Sequence, residues 1–259
     1  MKSYRILWAI LTAITLVACE KNLIDANQQW EFVNQATNTN VKVINAYTFN
    51  NPAAPTGVPA TRFYVYQNST KLNGNAVSAA GAWPGPATYA TVPSGKAFYS
   101  LILDRRVGND YGQVQKGDTT FRTEYTLDAG KYYSVFMVDQ FPKQTLLMTE
   151  DDMSIPTAGK YKIRVINLVP DPARPIDIYS RRAQTKIFTN LNYKDVKPFI
   201  ELNLSAQAIA DTIDVMEAGT TKPIYSSSTF TPVNGRIYTF YTFGRKGFAT
   251  ERLASYTNR

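Results

Sequence analysis

Three clusters in the sequence have residue types suited to chemistry. Glu150-Asp151-Asp152 is a carboxylate run of the kind that begins a calcium site, and Asp171 and Asp177 are close enough in sequence to be weighed as a glycosidase pair. Gly244-Arg245-Lys246-Gly247 has the glycines and cations of a phosphate loop. None of the three has its full pattern. Calcium takes about six to eight oxygens from ligands at alternating spacing, so a contiguous acidic run fits a solvated linker better. Strand alternation in Ile176-Asp177-Ile178-Tyr179 puts Asp177 on the solvent face, while Pro170-Asp171-Pro172 has turn chemistry, which separates the two acids. The Gly244 to Gly247 stretch is too short for a phosphate cradle, lacks a strand-loop-helix setting, and fits a hairpin tip.

Composition removes further chemistry. The 259 residues include no His and one Cys. Without imidazole there is no Ser-His-Asp or Cys-His pair, no His-ligated zinc and no His acid-base catalyst. One Cys cannot form an internal disulfide or a Cys-rich metal site. No metal and no cofactor are expected, and the chain is expected not to be an enzyme. Binding chemistry is better supplied, by aromatic rings. Trp83 stands in Ala80-Gly81-Ala82-Trp83-Pro84-Gly85-Pro86, whose Gly and Pro content predicts a loop, and an exposed ring there would stack on a sugar face. Tyr89 and Tyr111 complete this candidate glycan-binding set. The plainer role is that Trp83 caps one end of a sandwich and that most of the 17 Tyr lie in sheets.

The elements that must position these residues begin with a leader. Lys2 and Arg5 precede an apolar run from Ile6 to Ala18 that is too short to span a bilayer as a helix. It ends in Leu16-Val17-Ala18-Cys19, which resembles the lipobox of bacterial lipoproteins, so residues 1–18 are expected to be a signal peptide and Cys19 the lipid attachment site. Acyl chains contribute about 0.8 kcal/mol per buried CH₂ and would anchor the chain durably. Glu20 follows in place of a retaining Asp, which points to the outer membrane, on its periplasmic or cell-surface side. Loss of Lys2 and Arg5 leaves 26 basic against 20 acidic residues. The basic residues are scattered, with only Arg105-Arg106 and Arg181-Arg182 as pairs, so a solvated surface is expected and nucleic acid is not an expected partner.

Residues 19–40, rich in Asn, Gln and Thr, suit a lipidated spacer. From Val41 onward, strand alternation is bounded by Pro, Gly, Asn and Asp, and the second half echoes the first. Val41-Lys42-Val43-Ile44-Asn45 returns as Ile163-Arg164-Val165-Ile166-Asn167, and Phe63-Tyr64-Val65-Tyr66 as Ile176-Asp177-Ile178-Tyr179. Phe98 to Leu103 answers Thr212 to Met216, and Gly130-Lys131-Tyr132-Tyr133 answers Gly235-Arg236-Ile237-Tyr238. The expectation is an all-β chain: two tandem immunoglobulin-like β-sandwich domains of about seven strands each, over 41–148 and 161–259, joined by an exposed linker at 149–160.

Asn167, Pro170-Asp171, Pro175, Ile176 to Tyr179 and the Gly235 turn before an aromatic strand resemble the pattern of the domain-of-unknown-function family numbered 4397. Its members are mostly exported bacterial proteins with duplicated domains. In the first copy Asn45 and the Asp128-Ala129-Gly130 turn are kept, but the Pro-Asp and the strand Asp are not. The resemblance implies a surface β-sandwich and no established reaction. Tandem repeats behind a lipobox also resemble lipoproteins of Bacteroidota. Together these features lead to the expectation of a non-enzymatic surface lipoprotein, with a membrane partner through Cys19 and a protein or polysaccharide partner beyond it. The alternative is a glycan-binding accessory of a polysaccharide-uptake system.

Overall fold

Turn residues cut the chain into short strands, and the alternating apolar positions decide which way each strand faces. The structure, a computed structural model, describes residues 34–46, 62–78, 80–103, 119–139, 145–171, 174–204, 209–224, 227–244 and 251–259. Cys19, Tyr111, Pro172 and residues 245–247 lie outside them. Among the described residues the regular elements are all strands, and no helix is long and apolar enough to cross a membrane.

The first half holds β1 (Asn38–Asn45), β2 (Phe63–Gln67), β3 (Thr70–Lys71), β4 (Ala82–Trp83), β5 (Ala90–Pro93), β6 (Gly95–Leu103), β7 (Thr119–Leu127), β8 (Tyr132–Val138) and β9 (Thr145–Glu150). They form one sheet of order β4-β1-β8-β9, with β5 also on β1, and a second of order β3-β2-β6-β7. The second half holds β10 (Lys160–Ile166), β11 (Ile176–Ser180), β12 (Thr185–Leu191), β13 (Ile200–Asn203), β14 (Asp211–Glu217), β15 (Ser228–Phe230), β16 (Ile237–Phe243) and β17 (Arg252–Thr257). Its sheets repeat the plan, as β13-β10-β16-β17 and β12-β11-β14-β15. The chain is thus two tandem β-sandwiches. Each has more strands than the seven expected, and in each the opening strand runs parallel to the penultimate one, β1 with β8 and β10 with β16. The turns before those closing strands place Gly130 and Gly235 at φ 75°, where a Cβ would be strained.

Each sandwich has its own core. Val41, Val43, Phe63, Val65, Leu101, Leu127 and Val135 fill the first, and Ile163, Val165, Ile176, Ile178, Ile213, Val215 and Phe240 the second. A third apolar cluster lies between them: Ile44, Ala46, Phe136 and Val138 meet Ile166, Leu168, Tyr241 and Tyr256. Sheet β4-β1-β8-β9 therefore packs through its outer face on sheet β13-β10-β16-β17, and Ala36–Arg259 is one compact unit. This corrects the expected polar outer faces. Lys42 and Arg164 do lie opposite the core-facing valines, but they are 0% and 1% exposed because the other sandwich covers them.

The expected linker at 149–160 is corrected only at its start, since residues 151–159 join β9 to β10 and most of them are exposed. Strand β9 runs through Glu150, and the Asp151 side chain is fully buried against Arg164 rather than displayed in a solvated linker. The spacer is also shorter than expected, because the compact unit starts at Ala36 and β1 at Asn38.

Candidate functional site

The strand registers align the two copies residue by residue. Val41 pairs Tyr133 and Ala90 in the first copy, and Ile163 pairs Tyr238 and Ile200 in the second. With Tyr133 opposite Glu150 and Tyr238 opposite Thr257, the outward-facing residues match as Lys42 with Arg164, Tyr89 with Phe199 and Ser134 with Thr239. In the same way Thr149 matches Tyr256 and Asp151 matches Asn258.

These matched residues make reciprocal contacts across the interface. Lys42 Nζ donates to the carbonyl of Thr257 at 2.9 Å, and Arg164 Nη1 donates to the carbonyl of Glu150 at 3.3 Å, the matched position in the other copy. Lys42 Nζ lies over the Tyr89 ring at 4.4 Å, and the Arg164 guanidinium over the Phe199 ring at 4.5 Å. Such reciprocity is the signature of an interface related by an approximate two-fold, as in a symmetric dimer.

The symmetry breaks at the carboxylate. Arg164 Nη2 is ion-paired with Asp151 Oδ1, both side chains being 2% or less exposed. Asp151 Oδ2 accepts from the Tyr89 hydroxyl and from Ser134 Oγ, each at 2.5 Å, and from Asn258 Nδ2 at 3.3 Å. Tyr256 donates to Ser134 at 2.8 Å, Arg164 Nε to Thr239 Oγ1 at 3.0 Å, and Thr239 to Asn258 Oδ1 at 2.7 Å. The network is closed, as a buried ion pair requires if it is not to cost more than it returns. Lys42 has Asn258 where Arg164 has Asp151. It is held by the carbonyls of Pro86 and Thr257 and by the rings of Tyr89 and Tyr256. Burial lowers its pKa to about 8, with repulsion from Arg164 adding to burial and attraction to Asp151 opposing it. Burial and the neighbouring Asp151 raise the Tyr89 hydroxyl, so it stays a donor. Burial likewise raises the Tyr256 hydroxyl.

At the solvent edge of this seam lies a groove of about 410 Å³ bounded by Thr149, Glu150, Asp152, Arg164 and the stretch Val196 to Phe199. Asp152 accepts from Lys162 Nζ at 2.7 Å and from the Ser154 amide at 2.9 Å. Burial opposes ionisation there, but those bonds win and hold its pKa at about 2.

The residues singled out from the sequence fall as follows. Trp83 is in β4 rather than a loop, opposite Val43, half-buried and packed on the first core. Tyr89 has its hydroxyl engaged by Asp151 and Asn258 and its ring edge-on to Tyr132. The structure does not bring Trp83 and Tyr89 together as a stacking platform. Asp177 is corrected: it is 3% exposed, because β12 and the turn at Gly219 fold over it. Its carboxylate accepts from Lys186 Nζ at 2.8 Å, the Asn190 amide at 2.8 Å and the Gly219 amide at 3.0 Å. Burial raises the pKa of Asp177, and these three bonds outweigh it to lower it. Asp171 pairs with Arg174, which is also bonded to Glu251, and no contact joins it to Asp177. Among the described residues no three His, Cys, Asp or Glu side chains are placed to hold a metal ion. Sequence reasoning missed Lys42, Arg164, Ser134 and Asn258. The available signal was the unbroken apolar run Val135-Phe136-Met137-Val138, since a strand buried on one face would alternate.

No curated protein matches the sequence. Solved structures show weak similarity. The Bacillus anthracis TIE protein is 11% identical with a TM-score of 0.24, over 81% of this chain and 35% of its own, so this chain spans about a third of that protein. A candidate cell adhesion protein from Bacteroides eggerthii is 10% identical with a TM-score of 0.22, over 86% and 96%. The minor pilin GBS52 of Streptococcus agalactiae is 11% identical with a TM-score of 0.19, over 80% and 96%. Likenesses this weak say nothing of what this chain does. The sequence itself gives a firmer placement: residues 53–179, from the first sandwich into β11 of the second, match the model of the family described as Domain of unknown function (DUF4397), which bears out the resemblance read from the residues.

Proposed function

We propose that the chain is a non-enzymatic binding or structural module of the cell surface, held to the outer membrane by lipid on Cys19. The observation that carries this reading is the seam. Asp151, which the sequence singled out, is bonded there to Arg164, Ser134 and Tyr89, and this network with Tyr256 locks two sandwiches into one body. A rigid two-domain body behind a lipid anchor suits presentation of a surface to a partner outside the cell. Asp151 and Asp177, two of the buried acids, are saturated with donors, so neither supplies the free carboxylate that acid-base catalysis needs.

The anchor is tested by growth with labelled palmitate, where the wild type should be labelled and membrane-bound and Cys19→Ala neither. Equal labelling of the variant would remove the anchor from the reading. Surface presentation is tested separately by treating intact cells with a protease. Loss of the protein from intact cells supports display, and protection until the envelope is opened assigns it to the periplasmic side.

A further inference from the structure

We infer that the groove at the edge of the seam is a binding site for a neutral saccharide, an inference that rests on the surface-module reading. Its origin is an asymmetry between matched residues. In the second copy Tyr256 fills the position beside the buried cation, with Lys42 Nζ 4.5 Å from its ring, and is itself 4% exposed. In the first copy that position is Thr149, whose short side chain accepts from Arg164 Nη1 at 3.1 Å and donates to the Glu150 carbonyl at 3.2 Å. A threonine where the other copy has a tyrosine leaves the space open, and that space is the groove.

The lining selects the ligand. Phe199 is half-buried and has one face occupied by the Arg164 guanidinium, so the ring is held flat with Pro198 beside it. A flat ring beside a proline offers an apolar surface to the C–H face of a sugar. The rim carboxylates are already ion-paired, Glu150 with Lys131 at 2.8 Å and Asp152 with Lys162 at 2.7 Å. Their side chains remain 49% and 52% exposed, so their free lone pairs can accept from hydroxyl groups. A charged ligand would have to displace one of these pairs, whereas a neutral polyhydroxylated one adds bonds without breaking any. The volume of about 410 Å³ is within the usual range for small-molecule sites.

The test uses the full chain and three neutral probes, maltohexaose, mannohexaose and chitohexaose, beside the acidic hexagalacturonate. Titration calorimetry gives affinity, and amide chemical-shift changes show where the probe sits. Wild type should bind at least one neutral probe with shifts at Thr149, Glu150 and Phe199. Thr149→Tyr, which copies the other half of the seam, should abolish binding. Phe199→Leu, which keeps the bulk but removes the flat ring, should weaken it about fivefold. Should Thr149→Tyr lower the melting temperature, Phe199→Leu and Glu150→Gln decide alone. No binding of any neutral probe at millimolar concentration overturns the inference. So do shifts centred on Trp83, or a preference for hexagalacturonate. None of these results bears on the protease test of surface display, so the two readings fail separately.

Discussion

The two halves of the seam were built on one plan and have diverged at its most costly position. Both bury a cation on an aromatic ring and aim it at a carbonyl of the other sandwich. On one side the cation is a guanidinium with a carboxylate partner, on the other an ammonium without one. A planar guanidinium can satisfy a buried carboxylate and several hydroxyls at once, while an ammonium can lower its desolvation cost by giving up its proton. The same burial thus produces a permanent ion pair in one copy and a titratable group in the other.

That contrast is easiest to break at Arg164. Arg164→Met leaves the Asp151 carboxylate buried beside Tyr89, Ser134 and Asn258 without its cation. It should cost about 3–5 kcal/mol in denaturant unfolding. The matched change Lys42→Met orphans no carboxylate and should fall within about 1 kcal/mol of wild type, on either side, because removing an unpaired buried charge also removes its desolvation cost. Arg164→Met combined with Asp151→Asn should cost less than the sum of the single changes. Equal costs for Arg164→Met and Lys42→Met would mean that the two halves are energetically alike after all.

A smaller effect sharpens the comparison through pH. The pKa of Lys42 is about 8 in the folded chain against 10.5 for an ordinary lysine. Between those values the unfolded chain binds the extra proton, so stability should rise as pH increases. Above about pH 10 the buried tyrosines reverse the sign, because their raised folded pKa values mean that only the unfolded chain gains by ionising. Melting curves from pH 7 to 9.5 should therefore gain on the order of 2 kcal/mol in wild type and stay flat in Lys42→Met. A wild-type curve that falls over this range would place the proton on Lys42 in the folded state as well.

Much of this was legible in the sequence, and the remainder has a physical reason for being hidden. Alternation with turn residues gave both sandwiches, because a face buried on its own core imposes period two locally. The repeat of Val41-Lys42-Val43 as Ile163-Arg164-Val165 was visible for the same cause. What those cations face was not visible, since a Lys or Arg opposite a core residue has the same pattern whether water or a second domain covers it. Asp151 read as part of a solvated acidic run because its partner Arg164 belongs to the neighbouring strand of another sheet. Asp177 read as surface because alternation cannot register the bulges at Ile178 in the pairing of β11 with β12, or the chain that folds over that face. The groove depends on Thr149 differing from Tyr256, a contrast that has meaning only after the strand registers are known.

The most local predicted effect concerns a second divergence, inside the sandwiches rather than between them. At matched positions on β2 and β11 the first copy has Tyr64, whose ring carries Lys71 Nζ at 3.6 Å, and the second has Asp177, ion-paired with Lys186 at 2.8 Å. Each copy therefore ties the cation of its next strand to the sheet, but only Asp177 also accepts two backbone amides, from Asn190 and Gly219. Asp177→Asn keeps one acceptor oxygen and loses the ion pair, so it should cost about 1–2 kcal/mol. Its signature is local: amide exchange should speed up at Asn190 and Gly219, while the Val65 amide, held by Asn73 Oδ1 at 2.7 Å in the first sandwich, keeps its rate. Because the folded pKa of Asp177 is lowered from 3.8, its contribution is complete above that value and is lost as pH falls below it. Acid should thus reproduce the exchange pattern of Asp177→Asn in the wild type. Faster exchange spread evenly over both sandwiches would show instead that Asp177 supports the whole body rather than the turns that close over it.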